Sequence, residues 1–372
     1  MITYDKRRAE LYTWMARNSI SMAVIEDTEG RRNPALRYFS GHPSDAMLIL
    51  TITGHAVLCP WDENLAKQMA AVDVVVPYTE FGRNPVKTVR GIAEKIGLPE
   101  GSHIEIPGNT PYPLFLQYVE ALLEYDVLCR ESGIWTEISS MRAIKDEEEI
   151  TLLRKACEIT DSIIDLIEKQ VKTGKIKSEM DAALLIERES RAAGGDGTSF
   201  ETLAAGPDRS FGIHAFPAYT AAPFGTKGLS ILDFGIKYQG YGSDVTLTIA
   251  AGELTEAQEK MLSLVEKAYA SALPLYKPGT PTKEAARKVD DIFRRGRKKM
   301  PHNLGHGIGL EAHEGPFIKN LEENPWIFEN GMVVTLEPGL YDLAHGGCRL
   351  ENDILITETG NEVLTRSRII RI

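Results

Sequence analysis

The chain has 372 residues, which at about 150 residues per domain leaves room for two or three domains and a large core. Hydrophobic residues make up 43% and charged residues 26%, the balance of an ordinary globular protein, so disordered, collagenous and fibrous classes are excluded. With 42 Lys and Arg against 53 Asp and Glu the formal charge is -11, which argues against nucleic acid as a partner.

Cys59, Cys129, Cys157 and Cys348 lie far apart with no C-x-x-C pair, so neither a zinc ribbon nor a disulfide framework is expected, and a reducing compartment fits. The first residues, Met1-Ile-Thr-Tyr-Asp-Lys-Arg-Arg8, lack an apolar signal region, and the most apolar run, 46–58, is broken by Thr51, Thr53, Gly54 and His55. The expectation is a cytoplasmic protein with no membrane partner.

Up to about residue 140 strand-like and helical patterns alternate. Ser21-Met-Ala-Val-Ile25 and Ala46-Met-Leu-Ile-Leu50 read as strands; Pro113 to Tyr125 reads as a helix, with Pro113 in its first turn and an apolar stripe at Leu114, Tyr118, Ala121, Leu122 and Tyr125. This predicts a small α/β layer domain. Past Met141-Arg-Ala-Ile-Lys-Asp146 the pattern becomes a long amphipathic helix, with Asp146 as N-cap, Glu149 three residues on, and a stripe at Ile150, Leu153, Cys157, Thr160, Ile164 and Ile167. The domain boundary is placed there, dividing 1–140 from 141–372.

A second helix is predicted from Ser178, with Asp181 at the capping-box distance, to Gly194-Gly195; a third starts at Thr255 with Gln258 three on, and a fourth follows Thr282. The helices come in pairs, joined by Lys172-Thr-Gly174 and by Lys277-Pro-Gly279. This Lys-x-Gly hinge recurs 105 residues on, from 172 to 277, a short match that raises an internal duplication as one possibility beside ordinary helix-helix turns.

Two strand-like runs after the first helix pair each contain an aspartate: Leu229-Ser-Ile-Leu-Asp233-Phe-Gly-Ile236 and Tyr241-Gly-Ser-Asp244-Val-Thr-Leu-Thr-Ile249. Asp is disfavoured in strands and rarely buried unpaired, so each demands a partner. A turn at Tyr238-Gln-Gly240 would set the two carboxylates, whose midpoint is 238.5, opposite one another, tolerable if one is protonated or a cation lies between them. Val333-Val-Thr-Leu-Glu337-Pro-Gly-Leu-Tyr341 and Cys348-Arg-Leu-Glu351-Asn-Asp-Ile-Leu-Ile356 repeat the anomaly with glutamates. Any one of the four reads singly as a solvent-facing edge residue or half of an ion pair, Glu351 with Arg349 for instance; four together favour a cation.

Between the pairs lies His302-Asn-Leu-Gly305-His306-Gly-Ile-Gly-Leu310-Glu-Ala-His313-Glu314. His302 and His306 are four apart, but the glycines argue for strand or loop rather than helix, and H-E-x-x-H is absent. His306, flanked by Gly305 and Gly307, offers the close backbone approach a ligand needs. His42, His55, His103 and His345 read as ordinary hydrogen-bonded residues. Four carboxylates and one imidazole form a hard donor set suited to two divalent ions: manganese, cobalt, iron(II) or zinc. Two such ions can share a hydroxide and polarise a carbonyl, which is amide hydrolysis without a Ser or Cys nucleophile; no G-x-S-x-G is present.

The order Asp233, Asp244, His306, Glu337, Glu351, in the contexts Leu-Asp233-Phe-Gly, Gly-Ser-Asp244-Val-Thr-Leu-Thr, Leu-Gly-His306-Gly-Ile-Gly-Leu-Glu-Ala-His313-Glu, Leu-Glu337-Pro-Gly-Leu-Tyr and Arg-Leu-Glu351-Asn-Asp, resembles the ligand set of the pita-bread metallopeptidases. Asn33-Pro-Ala-Leu-Arg-Tyr38-Phe-Ser-Gly41 is similar to a motif of the creatinase-like N-terminal domain, which points to the prolidase and aminopeptidase P branch. The resemblance implies an α/β (α+β) chain, a creatinase-like α/β domain followed by a pseudo-twofold pita-bread catalytic domain, acting as a homodimer on short proline-containing peptides. It implies that Asp233 chelates one metal, that Asp244 and Glu351 bridge both, and that His306 with Glu337 holds the other. Glu337 would also handle the water's proton, His214 and His313 would flank the scissile amide, and Arg349 would orient the bridging carboxylate or the substrate terminus.

Two positions depart from the family pattern: Leu247 stands where many prolidase-like members carry Arg, and His214 sits in Phe-Gly-Ile-His-Ala-Phe-Pro rather than Pro-His-Gly. Both are expected near the substrate. The competing expectation is a non-peptidase C–N hydrolase or lyase of the same fold acting on a small metabolite.

Overall fold

The computed structural model describes residues 4–372. Two compact units divide the chain, Met1–Met141 and Arg142–Ile372.

In the first unit, β1 (Ile20–Asp27), β2 (Ala46–Thr51), β3 (Ala56–Pro60), β4 (Val74–Val75), β5 (His103–Glu105) and β6 (Asp126–Leu128) form a mixed sheet in the order β4-β3-β2-β1-β5-β6. Helices α1 (Tyr4–Arg17), α2 (Ala35–Ser40), α3 (Glu63–Met69), α4 (Pro85–Lys95) and α5 (Tyr112–Ala121) connect and cover it. α5 stops four residues short of the predicted Tyr125, because the chain must straighten to pair Asp126 with His103. The Asn33 to Gly41 motif is α2 with its ends sealed. Asn33 Oδ1 accepts from the Ala35 amide, and Arg7 and Arg8 donate to the carbonyls of Tyr38 and Phe39, which the helix leaves unpaired. Gly41 ends it at φ 72, where a Cβ would fall 2.8 Å from the Tyr4 hydroxyl, so glycine is required there.

α6 (Ile134–Ala143) carries the chain into the second unit. Asp146, Ser178 and Thr255 each close a capping box with Glu149, Asp181 and Gln258, starting α7 (Glu147–Lys172), α8 (Glu179–Ala192) and α9 (Glu256–Ala272) where the sequence puts them. α10 (Thr282–Arg295) takes Thr282 inside its first turn, with Pro281 in the capping position. Between the helix pairs run β7 (Gly197–Thr198), β8 (Leu203–Ala205), β9 (Gly228–Phe234), β10 (Ile236–Tyr238), β11 (Tyr241–Gly242) and β12 (Val245–Ala251). After α10 come β13 (Gly305–Gly307), β14 (Glu314–Ile318), β15 (Val333–Leu336), β16 (Gly339–Asp342), β17 (Gly346–Arg349), β18 (Asn352–Ile356), β19 (Asn361–Val363) and β20 (Ile369–Arg371).

The two halves follow one plan. Each is a helix pair turning at a left-handed glycine, Gly174 at φ 66 and Gly279 at φ 81, followed by three antiparallel strands, β8-β9-β12 or β13-β15-β18. Each sheet packs one face on its own helices: Leu232, Val245, Leu247 and Ile249 with Ile164, Ile167 and Ile186; Val334, Leu336 and Ile354 with Leu262, Val265 and Phe293. The sheets meet at the antiparallel bridge Thr246↔Glu351, so the faces turned away from the helices converge there. Among the described residues no helix is long and apolar enough to cross a membrane.

Candidate metal centre

Strand alternation decides which side chains of β12 reach the centre. Thr246 and Thr248 point toward it: Thr246 Oγ1 donates to Glu351 Oε2 at 2.6 Å, and Thr248 Oγ1 donates to the Arg349 carbonyl at 2.8 Å. Leu247 points the other way, fully buried among Ile164, Ile249 and Phe234. The expectation that Leu247 lies near the substrate is therefore corrected, since an odd-numbered residue of this strand belongs to the helix-facing core.

The hairpin register also differs from the arithmetic. Gln239 and Gly240, at φ 45 and 85, form the two-residue turn, centred one residue past the midpoint of the two aspartates, and Asp233 pairs with Thr246 rather than with Asp244. A register change of two keeps the face, so Asp233 and Asp244 still share it, as diagonal neighbours. Glu337 follows β15 and Glu351 precedes β18. The glycines around His306 serve strand packing rather than a ligand: a Cβ on Gly305 would fall 2.1 Å from the Thr335 carbonyl oxygen, and one on Gly307 2.1 Å from that of Gly315.

Five of the residues singled out from the sequence converge. Donor atoms of Asp233, Asp244 and Glu351 lie within 4.8 Å of one another, as do those of His306, Glu337 and Glu351, so Glu351 is common to both groups; Asp244, His306 and His313 form a third. His306 Nε2 stands 3.7 Å from Asp244 Oδ2 and 3.6 Å from Glu337 Oε1. Its Nδ1 donates to the Gly307 carbonyl at 3.1 Å, which leaves the Nε2 lone pair facing the carboxylates. His214 and His313 line the same cleft, and the His306 and His313 rings stack with centroids 4.1 Å apart.

The charge here is poorly matched within the protein alone. Burial, followed by repulsion from Glu351, holds the Asp244 and Glu337 carboxyls well above the usual range, and burial with Asp233 pushes Glu351 up to about 7. Burial holds His306 down to about 3, so its imidazole is neutral at pH 7. Asp233 Oδ1 is buried without a hydrogen-bond partner. Neutral imidazole, crowded carboxylates and an orphaned buried oxygen fit divalent cations, which would relieve the repulsion and complete the coordination.

Arg349 does not pair with Glu351. Its Nη2 donates to Asp233 Oδ2 at 2.5 Å, Nε to Thr246 Oγ1 at 2.8 Å and Nη1 to the Tyr341 hydroxyl at 2.6 Å, because the guanidinium reaches across β12 to β9. Tyr341, which accepts from Arg349, stands 3.0 Å from His302 Nε2, and His302 Nδ1 donates to the Asn303 carbonyl. Tyr341 therefore donates to His302, whose ring burial and Arg349 hold neutral, with a pKa of about 4. Sequence alone does not assign this hydrogen-bonded chain, although both residues stand inside the motifs quoted; only the return of β16 beside His302 joins them. Asp353, buried, accepts from the Asp244 amide at 3.1 Å and fixes that residue's backbone. Glu314, next to His313, is an anchor: it pairs with Lys145 at 2.9 Å and with Arg142.

The chain is similar to known proteins over nearly its whole length. Residues 151–358 match the model of metallopeptidase family M24, and residues 7–144 match the creatinase/prolidase N-terminal domain. The Xaa-Pro dipeptidase of Pyrococcus furiosus is 35% identical over 370 residues, 97% of this chain and 98% of that one. The prolidase structure from Thermococcus sibiricus covers 100% of both chains at a TM-score of 0.85 and 26% identity. The X-Pro aminopeptidase structure from Thermotoga maritima covers 98% of this chain and 99% of that one, at 0.81 and 25%. The chain therefore belongs to metallopeptidase family M24, in its prolidase and aminopeptidase P-like pita-bread branch, with a creatinase-type N-terminal domain.

Proposed function

We propose that this metallopeptidase hydrolyses the Xaa-Pro amide bond of dipeptides or short peptides, using two divalent ions, manganese or cobalt before zinc or iron, held by Asp233, Asp244, His306, Glu337 and Glu351. The observation that carries the reading is the pair of donor groups joined through Glu351 in one cleft. Asp233 would hold one ion, His306 and Glu337 the other, and Asp244 and Glu351 would serve both. When bound, the ions lower the pKa of a water toward neutrality and polarise the scissile carbonyl.

The chain's own groups do the rest. Glu337 takes the proton of the attacking water and returns it to the leaving nitrogen. His214 and His313 lie on the cleft wall, where one contacts substrate and the other donates to the oxyanion. Arg349 holds Asp233 and, through Thr246, Glu351, so it orients carboxylates from both halves. A cytoplasmic homodimer is the assembly this reading carries, checked by light scattering.

The test uses chelator-stripped protein with manganese or cobalt added back, on paired Xaa-Pro and Xaa-Ala peptides. Metal-restored cleavage confined to the proline series supports the proposal. Two bound ions per chain with no cleavage of any proline peptide contradicts it and directs attention to small-metabolite amides.

A further inference from the structure

Asp353 is fully buried on β18, two residues past Glu351, yet its oxygens belong to none of the donor groups and line no part of the cleft. It forms no ion pair among the described residues, and a buried carboxyl without a cation is costly unless hydrogen bonds engage it. Its Oδ1 and Oδ2 accept from the Asp244 amide at 3.3 and 3.1 Å, and Oδ2 also accepts from Cys157 Sγ of α7 at 3.5 Å. That amide has no strand partner of its own, because Asp244 falls in the gap between β11 and β12. α7 holds the same gap through Thr160 Oγ1, 2.7 Å from Ser243 Oγ.

The contact belongs to a longer seam. The bridge Thr246↔Glu351 is antiparallel, so a step of two residues along each chain in opposite senses sets Asp244 opposite Asp353 and Thr248 opposite Arg349. β12 cannot give its backbone to a further strand there, since Thr248 already pairs with Ile231 of β9 and with Ile369 of β20. Side chains form the rungs instead. Thr248 Oγ1 donates to the Arg349 carbonyl at 2.8 Å and accepts from the Arg349 amide at 3.0 Å, Thr246 Oγ1 donates to Glu351, and Asp353 accepts from the Asp244 amide. The outer rungs thus fix the backbone of Asp244 on one side and the backbone two residues before Glu351 on the other, and the place a short carboxylate reaches is set by its backbone.

We propose that Asp353 and Thr248 are positioning residues that set the spacing of Asp244 and Glu351 across the seam, an inference that rests on the two-ion reading above. A lone ion can settle against whichever carboxylates stand nearest, but two ions sharing both carboxylates need them at one separation. Asp353 and Thr248 therefore govern the binding of the second ion and the bridging of the pair, without touching an ion or the substrate.

The chelator-stripped full chain and its variants are titrated with manganese by calorimetry, and the loaded proteins are read by electron paramagnetic resonance, in which two ions sharing bridges give a spin-coupled signal and separate ions do not. In Asp353→Ala and in Thr248→Val the weaker-binding ion loses about tenfold or more in affinity, the tighter one changes by less than about threefold, and the coupled signal gives way to that of isolated manganese. Asp353→Asn, whose amide oxygen still accepts from Asp244, and Thr248→Ser, which keeps the hydroxyl, recover both the affinity and the coupling. Leu247→Ala, a truncation on the helix-facing side of the same strand, keeps both although it loosens the core. Should Asp353→Ala fail to fold, Thr248→Val against Thr248→Ser carries the comparison. Unchanged second-ion affinity and coupling in the folded variants overturn the inference, as does an equal loss in Leu247→Ala, and either leaves the two-ion reading standing. A single ion, or an uncoupled pair, in the unmodified protein defeats that reading and this inference with it.

Discussion

In the first half of the catalytic unit the two carboxylates of the centre are aspartates, Asp233 at the end of β9 and Asp244 just before β12. In the second half they are glutamates, Glu337 just after β15 and Glu351 just before β18. The backbone plan is shared, down to the left-handed glycine between the helices, but the cargo is not. The second half alone adds His306, His302 and Arg349, and Arg349 reaches back to Asp233. A repeated scaffold thus supplies two facing sets of candidate donors, and among the asymmetric additions Arg349 orients them through Asp233 and Thr246. The bridge Thr246↔Glu351 is where the halves depend on each other.

Breaking that dependence at its shared donors gives the largest expected effect. Asp244→Ala removes a carboxylate that belongs to two of the donor groups, and activity should fall on the order of 10³-fold with loss of bound metal, read by steady-state kinetics and metal analysis. Full activity and full metal content would dismiss the site. Leu247→Ala separates scaffold from chemistry: it should cost about 3 kcal/mol of stability in urea denaturation while KM stays unchanged, because the side chain is buried on the helix-facing side of β12. A changed KM at wild-type stability would restore a substrate role.

Thr246→Val keeps the shape but removes the hydroxyl that links Arg349 to Glu351. Metal affinity should weaken about tenfold by calorimetric titration, with little change in fold. The smallest effect concerns pH. In chelated protein Glu351 has a folded pKa of about 7 against an ordinary value of 4.5, so the folded state binds the proton more tightly than the unfolded one. Its stabilising contribution is complete below pH about 4.5 and disappears as pH rises through about 7. Melting temperature without metal should drop by a few degrees over that window, and added divalent ions should abolish the trend. A rise over the same window would contradict the assigned burial.

Much of this was legible in the chain itself. The three capping boxes and the stripe from Ile150 to Ile167 are local patterns, and local sequence suffices to set them. The four candidate carboxylate donors could be picked out because a carboxylate inside an apolar run is anomalous wherever the strand goes, whereas His306 is marked by flanking glycines that serve strand packing. Register was less accessible: the turn's φ values, not the spacing of the aspartates, fix the pairing. The partner of Arg349 and the Tyr341 to His302 bond depend on strands distant in sequence, which no local pattern encodes. Leu247 shows the converse, a position that motif comparison marks as functional and strand alternation assigns to the core.

Whether donors from both halves hold two ions through shared carboxylates is decided by counting bound manganese per chain in the unmodified protein, in Asp233→Ala and in Glu337→Ala. Two ions are expected in the first and one in each variant, with activity lost in both. Two ions retained in either variant, or a single ion in a fully active unmodified protein, would contradict that sharing.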